Sequence, residues 1–157
     1  MNNVEFVERV KQLTLEDTAF AFGTYGEVVD EKLIRDVYKN SLHRYRHVQD
    51  FYKLFDCIGK IAYECTAVIT EPLGIVGFYG DPSPKDLYFN YSTEKYLIED
   101  MPETIGLGVY FYEHVGVYIG NGRVIESTYA GENFGIAVTK LSEKPWTAAF
   151  KIKGVEY

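Results

Sequence analysis

The segment HVGVYIGNGRVIES, residues 114–127, constrains the fold of this chain more than any other. Apolar β-branched and aromatic residues flank Gly-Asn-Gly, a pattern typical of a β-hairpin. Because successive side chains of a strand point to opposite faces, His114, Gly116 and Tyr118 are predicted to share one face. The residues that alternate with them are all apolar and suit a core. His114 is therefore predicted to project from the face opposite that core.

The length of the hairpin turn decides where Glu126 lies. With a three-residue loop, Gly120-Asn121-Gly122, Glu126 falls diagonal to His114 on the same face, within reach of a long side chain. With a two-residue loop, Glu126 moves to the other face. Gly122 suits the left-handed conformation that the longer loop needs. The sequence thus favours a His114–Glu126 pair, in which a carboxylate holds the imidazole and stabilises its protonated form.

Helices are predicted before this hairpin. Phe6, Val10 and Leu13 recur at helical spacing, and Asp30 is a candidate cap for a second helix. A third helix is predicted from Val48 to Asp56. Its inward residues would be Phe51, Leu54 and Phe55.

Strands are predicted after the hairpin, in GIAVTK and TAAFKIK. Helices followed by an antiparallel sheet indicate an α+β fold, and 157 residues fit one domain, 1–157. Between the two halves, the glycine- and proline-rich stretch of residues 71–93 is predicted to run over the surface. Its tyrosines, among them Tyr88 and Tyr91, are candidates to line a groove. The alternative is that LYFNYST packs into the core, above all through Phe89.

The chain has two cysteines, Cys57 and Cys65, and each follows an acidic residue. Cys57 is predicted at the end of the third helix, where the helix dipole and Asp56 disfavour a thiolate. Cys65 precedes the short apolar segment TAVIT. If that segment is helical, the thiol stands at its N-terminus, where free N–H groups lower a thiol pKa. Cys65 is therefore the candidate nucleophile, and Cys57 is expected to be a small buried apolar residue.

Charge and composition exclude several functions. The net charge of −7 argues against non-specific nucleic-acid binding and against attraction to an anionic membrane surface. No stretch is long and apolar enough for membrane insertion. His43 and His47 lie four apart, but no nearby carboxylates or thiols complete a metal site, so a solvated basic helix end is expected there. The N-terminus MNNVEFVERVK does not predict a secretory signal.

These motifs together resemble the NlpC-type cell-wall peptidases, which are papain-like cysteine hydrolases, and the resemblance spans nearly the whole chain. FGTYG, residues 22–26, looks like the glycine-rich aromatic motif that precedes the nucleophile. IGKIAYECTAVI is similar to the Asp-Cys-Ser-Gly segment, and HVGVYIGNGRVIES to the histidine hairpin, the most specific of the motifs. The ending VTKLSEKPWTAAFKIKGVEY resembles a clostridial and phage-associated branch of the family. That branch also carries Ile-Gly-Lys before its cysteine, which selects Cys65.

The resemblance implies a papain-like α+β domain with the nucleophile helix packed on an antiparallel sheet. It implies hydrolysis of an amide bond in the stem peptide of peptidoglycan, most commonly between γ-linked D-glutamate and the diamino acid. Carried over by position, Cys65 is the nucleophile, His114 the general base and Glu126 the polar third member. No metal or organic cofactor is expected. The partner is the stem peptide, and the oligomeric state is left open.

The chain departs from the family pattern around the nucleophile. Glu64 stands for Asp, Thr66 for Ser and Ala67 for Gly, and Phe20 stands where many relatives have a tyrosine. Glu64 and Thr66 are predicted substrate contacts. Two tyrosines, Tyr25 and Tyr63, are candidates to supply the hydroxyl missing at position 20.

Two alternatives follow from these departures. One is another amide hydrolase or acyltransferase on the same scaffold, for instance a muramoyl-alanine amidase. The other is a catalytically degenerate phage structural or binding module. Action on the bacterial cell wall without a signal peptide points to phage-type release, or to a trimmed exported protein.

Overall fold

The computed structural model describes residues 1–74 and 82–157, so residues 75–81 of the predicted surface stretch lie outside the described part. The helices are α1 (Asn3–Leu13), α2 (Glu31–Ser41), α3 (Val48–Tyr52), α4 (Ala67–Leu73) and α5 (Pro84–Asn90), with short 3-10 helices at Leu42–Arg44, Lys53–Cys57, Ile98–Asp100 and Leu141–Glu143. The strands are β1 (Thr18–Ala19), β2 (Tyr25–Val28), β3 (Ile61–Tyr63), β4 (Ser92–Leu97), β5 (Gly108–Phe111), β6 (His114–Gly120), β7 (Arg123–Thr128), β8 (Gly135–Lys140) and β9 (Ala148–Ile152). The α+β class predicted from the sequence is confirmed.

The first two helices both begin at side-chain caps, of which Asp30 was predicted. Asn2 and Glu5 form a capping box at the start of α1, whose predicted apolar stripe is buried. The Asp30 carboxylate accepts a hydrogen bond of 2.7 Å from the Leu33 N–H and starts α2. Both predictions are confirmed, and α1 packs against α4.

The third helix differs from its prediction. The α-helix ends at Tyr52 and continues as a 3-10 helix to Cys57. Phe51 and Leu54 are buried as expected, but Phe55 is exposed. Because the 3-10 helix has three residues per turn, it rotates position 55 away from the α-helical stripe. Phe55 stacks instead on the exposed ring of Tyr52.

Two sheets are present in the described part of the chain. The smaller has the order β1-β3-β2, and the larger has the order β4-β9-β5-β6-β7-β8. All pairs in the larger sheet are antiparallel, and β9 lies between β4 and β5. The strands predicted in GIAVTK and TAAFKIK are confirmed as β8 and β9.

The stretch expected to run over the surface contains helix α5 and the first residues of strand β4, and sequence reasoning predicted neither element. Helix α5 starts at a capping box between Ser83 and Asp86, with Pro84 in its first turn. Strand β4 follows and forms the edge of the larger sheet.

The β6–β7 hairpin has the predicted register, but its turn differs from the predicted one. Val117 pairs with Ile125 and Tyr118 with Val124, as the three-residue loop requires, but Gly120 pairs with Arg123. The loop is therefore the two residues Asn121 and Gly122, at φ 54° and 67°, and a bulge at Ile119 absorbs the extra residue. Glu126 consequently stays on the face of His114.

The larger sheet is covered on both faces. On one face, Val68 and Ile69 of α4 pack with Val115 and Val117 of β6, so the helix that follows Cys65 lies on the sheet. On the opposite face, Tyr118 and Val124 pack with Trp146 and its neighbours. The face that carries His114 is thus a second apolar layer, where the alternation pattern alone predicted none. No helix within the described ranges has the length and apolar character needed to cross a membrane.

Candidate active site

His114 and Glu126 form the closest polar pair of the hairpin. His114 Nε2 lies 2.6 Å from Glu126 Oε2, and the Glu126 side chain is fully buried. A carboxylate accepts hydrogen bonds, so Nε2 carries the hydrogen and Nδ1 is left as the basic nitrogen of the neutral ring. The predicted orientation of the imidazole by Glu126 is present in the structure.

Two further groups from the C-terminal part hold the other oxygen of Glu126. Thr139 Oγ1 of β8 donates to Glu126 Oε1 at 3.0 Å, and Lys144 Nζ lies 3.0 Å from the same oxygen. Burial by itself would raise the pKa of Glu126. The hydrogen bond and charge of His114, together with the charge of Lys144, outweigh burial and hold this pKa below its usual range.

The imidazole of His114 packs against two aromatic rings that also contact each other. It stacks on Trp146 with ring centroids 5.5 Å apart and also contacts Phe111. A cavity of about 430 Å³ opens beside Trp146 and Lys144; its other lining residues are Ile98, Gly122, Leu141 and Ser142. The His114 side chain is only 13% exposed, so these contacts fix the ring as well as shield it.

Cys65 lies just before α4. The helix starts at Ala67 with Thr66 as its cap, so the thiol precedes the first turn, close to its predicted position. Ser127 of β7 donates a hydrogen bond of 2.6 Å to the Tyr63 carbonyl and ties the segment before Cys65 to the hairpin. The backbone N–H of Val115, the residue after His114, interacts with the thiol and favours its ionised form. The nucleophile candidate and the start of β6 are therefore neighbours.

The expectation of a lowered thiol pKa at Cys65 is wrong for this structure. Burial raises the pKa of the Cys65 thiol to about 12, and the adjacent Glu64 carboxylate adds to the rise. Arg44 and the Val115 N–H act in the opposite direction but do not outweigh burial. The thiol is 4% exposed and packs in an apolar cluster with Phe20 and Tyr45. Burial and the Glu64 charge therefore favour the neutral form of the Cys65 thiol.

Cys57 agrees with its interpretation as a small buried residue. It is 7% exposed, and burial followed by the charge of Asp56 raises its thiol pKa, while Lys60 lowers it. It lies at the end of a 3-10 helix and belongs to the same apolar cluster as Cys65.

The burial of Glu64 and Thr66 does not fit their predicted role as substrate contacts. Glu64 is 1% exposed and Thr66 fully buried. The Glu64 carboxylate accepts hydrogen bonds from the Gly23 N–H at 2.6 Å and from the Thr66 hydroxyl at 2.8 Å. Arg44 lies 3.6 Å away. Glu64 thus joins the glycine-rich loop to the cysteine turn. The role of this buried side chain is internal positioning.

The hydroxyls proposed to replace the one missing at Phe20 are already bonded. Tyr25 donates to Glu64 Oε1 at 3.2 Å, and Tyr63 donates to Glu16 Oε2 at 2.6 Å. Tyr63 is also 5% exposed. Substrate contact by Tyr63 would require breaking this bond, whereas Tyr25 is only partly buried.

Tyr88 and Tyr91 lie elsewhere than predicted. Tyr88 stacks on Tyr110 with centroids 4.5 Å apart and packs, like Tyr91, on the cluster between α1 and the larger sheet. Cys65 belongs to a different cluster. Phe89, the best candidate for burial in this stretch, is 56% exposed. The structure does not bring these tyrosines to the thiol.

Several residues near the site were missed by the sequence interpretation. Thr139 lies two residues beyond Ala137, the partner of Glu126, so extending the register to β8 would have found it. Lys144 follows a 3-10 helix and carries no periodic signal. Arg44 was predicted on a solvated helix end, yet it covers the Phe22 ring at 4.3 Å and faces Glu64.

Within the described residues, no group of three or more His, Cys, Asp or Glu side chains is arranged to hold a metal ion. A comparison with models of known protein families finds no match to this chain, and a comparison with curated proteins finds none either. The geometry and the sequence motifs are therefore the basis for a functional assignment.

Proposed function

We propose that this chain is a papain-like cysteine hydrolase of the NlpC type that cleaves an amide bond in the stem peptide of peptidoglycan. The bond proposed first is that between γ-linked D-glutamate and the diamino acid. The observation that carries the proposal is the 2.6 Å contact between His114 Nε2 and the fully buried Glu126 carboxylate. This arrangement orients an imidazole for proton transfer.

The proposed reaction starts from a neutral thiol. His114 Nδ1 takes the Cys65 proton as the sulfur attacks the amide carbon, and the C–S bond forms while the carbonyl oxygen becomes an oxyanion. The C–N bond then breaks, and the imidazolium returns its proton to the leaving amine. A water molecule, deprotonated by His114, hydrolyses the thioester and releases the acid and the thiol. Glu126 stabilises each imidazolium stage.

The support for each role comes from position. The Val115 N–H beside the thiol places Cys65 next to the strand that starts with His114. Glu64, through Gly23 and Thr66, fixes the cysteine turn. The similarity of FGTYG, IGKIAYECTAVI and the histidine hairpin to the NlpC motifs supplies the substrate class.

The test is mass spectrometry of purified peptidoglycan fragments before and after incubation with the protein. We expect fragments with a new amino terminus on the diamino acid, and no cleavage by Cys65→Ala or His114→Ala. Cys57→Ala serves as the matched thiol control and should retain activity. Release of the intact stem peptide would assign a muramoyl-alanine amidase instead, and unchanged fragments with every variant would reject hydrolysis of this substrate.

A second candidate is a non-catalytic module on the same scaffold. The burial of Cys65 and its raised thiol pKa favour it. A substrate-like, thiol-directed covalent inhibitor separates the two at neutral pH. Attachment at Cys65 that disappears in His114→Ala supports the enzyme, and absence of attachment while Cys57 remains equally unmodified supports the module.

A further inference from the structure

Glu126 carries two cationic partners, one on each oxygen. Oε2 meets His114 Nε2, and Oε1 meets both Lys144 Nζ and the Thr139 hydroxyl. Lys144 is itself anchored by a hydrogen bond of 2.9 Å to Thr128 Oγ1, and its side chain is 16% exposed. The carboxylate is thus held on one side by a lysine ammonium group and on the other by an imidazole ring.

This arrangement changes what happens when His114 gives up a proton. Without Lys144, the imidazolium would be the counter-charge of a fully buried carboxylate, and losing its proton would leave that carboxylate unpaired in the interior. With Lys144 in place, Glu126 keeps a cationic partner at every stage. Deprotonation of the ring then costs less.

We propose that Lys144 is a positioning residue that keeps Glu126 ionised and paired while His114 cycles between its protonated and neutral forms. The inference rests on the proposed function for its catalytic meaning. Its physical content, the coupling of Lys144 to the protonation of His114 through Glu126, stands independently of it.

The charged groups around the pair are few in the described chain. His114 from β6 and Lys144 from the segment before β9 face the Glu126 carboxylate, and Thr139 from β8 is its neutral partner. Trp146 and Phe111, which cover the imidazole, carry no charge. The adjacent acids, Glu113 and Glu143, are exposed to solvent. Lys144 is therefore the group whose removal tests the coupling.

The experiment is an NMR titration of the His114 ring protons in a Cys65→Ala background, which removes the thiol as a proton partner. Lys144→Met should move the titration midpoint to higher pH by about one unit, since a like charge on the shared carboxylate disfavours the protonated ring. Lys144→Arg, which keeps the charge, and Thr139→Val, which removes a neutral donor from the same oxygen, should each move it much less.

Activity provides the second readout, with Cys65 intact. Lys144→Met should lower kcat/KM about tenfold on the acid limb of the pH profile and recover toward the wild-type value at high pH, since one pH unit is a factor of ten. Equal loss at every pH with an unmoved His114 titration would show a merely structural role and overturn the proposal. If the His114 titration shifts but the protein has no activity, the coupling is supported and the proposed function is rejected.

The wild-type protein gives an answer even if Lys144→Met does not fold. The Glu126 side-chain carboxyl carbon should keep the chemical shift of the ionised form throughout the His114 titration. A protonation step of Glu126 within that range overturns the inference.

Discussion

At the residue scale, the buried Glu64 carboxylate stabilises the local structure and also disfavours ionisation of the Cys65 thiol. It accepts hydrogen bonds from Gly23 and Thr66, which ties the glycine-rich loop to the cysteine turn. The same negative charge adds to the raised pKa of Cys65. Arg44 offsets part of it from 3.6 Å. The resting state of the thiol therefore depends on a balance between Glu64 and Arg44 as well as on burial.

Replacing Glu64 by Gln should lower the pKa of Cys65 from about 12 while burial keeps it above the ordinary thiol range. Removing one adjacent like charge is worth about one unit. Alkylation of Cys65 by iodoacetamide at pH 8.5 should then accelerate up to about tenfold, measured by peptide mass spectrometry.

The matched control is Asp56→Asn, which removes the acid before the other cysteine. It should accelerate alkylation of Cys57 and leave Cys65 unchanged, because Asp56 raises the pKa of Cys57. Slower alkylation of Cys65 in Glu64→Gln would contradict the electrostatic account.

Residue type, alternation and the favoured turn predicted the pairing of His114 with Glu126, and the pairing is present because the bulge at Ile119 keeps the predicted register. They were insufficient for Lys144, which reaches Glu126 from an irregular segment. The sequence also predicted the wrong direction for the pKa shift of the Cys65 thiol. Helix-end charge is a local property that sequence reveals, whereas the burial that dominates it depends on Phe20, Tyr45 and others distant in sequence.

At the scale of elements, the β6–β7 hairpin depends on its turn. Asn121 and Gly122 both have positive φ, and the Glu103 carboxylate accepts hydrogen bonds from the Tyr118 hydroxyl and the Asn121 N–H. The Gly122 N–H donates to the Tyr118 oxygen at 3.0 Å. This network holds the two-residue turn while the bulge at Ile119 preserves the register below it.

Gly122→Ala should destabilise the protein by about 1–2 kcal/mol, because a β-carbon disfavours the left-handed conformation. Apart from the two chain neighbours, no heavy atom of the described residues lies within 4 Å of the added carbon, so the cost is conformational. Gly122→Asn should recover most of it, since Asn tolerates this region. Denaturant unfolding measures both.

Gly131→Ala, at the same φ of 67° and also with open space around it, is the control outside the hairpin. It should cost a similar amount without any change in the NMR signals of His114. A Gly122→Ala protein as stable as the wild type would show that the turn is not strained.

The elements themselves were predicted where local signals agree. The helical spacing of Phe6, Val10 and Leu13 indicated α1, the cap at Asp30 indicated α2, and Gly-Asn-Gly indicated the hairpin. The two-residue turn with a compensating bulge was not predictable, since both loop lengths fit the same residues. Strand β4 was missed because only its pairing with β9, far along the sequence, makes STEKYL a strand.

For the whole molecule, the buried Glu126 couples folding to pH. Its pKa is lowered in the folded state, so its stabilising contribution is present above the ordinary carboxyl pKa and is lost as pH falls through the lower, folded value. The contribution of Glu126 should therefore make the wild-type free energy of unfolding decrease below about pH 4.3, by at most about 1.4 kcal/mol per pH unit for this one proton.

Glu126→Gln should be less stable at neutral pH and should lack this part of the acid slope, as measured by denaturant unfolding across pH. Glu94→Gln is the surface control, because Glu94 also has a lowered pKa but pairs with Lys151 in solvent. Its slope should match the wild type, as exposed ion pairs contribute little. An identical acid slope in Glu126→Gln and wild type would refute the coupling.

The position of β9 also has a consequence for how the protein is made. Of the six strands of the larger sheet, β9 is synthesised last, yet it lies between β4 and β5. During synthesis on the ribosome, β4 and β5 emerge before β9. The strand edges that β9 later covers are unpaired in the meantime and open to pairing with other chains. Lys144 and Trp146 emerge just ahead of β9. The nascent chain therefore carries Cys65 and His114 without their completed surroundings until translation has passed residue 152.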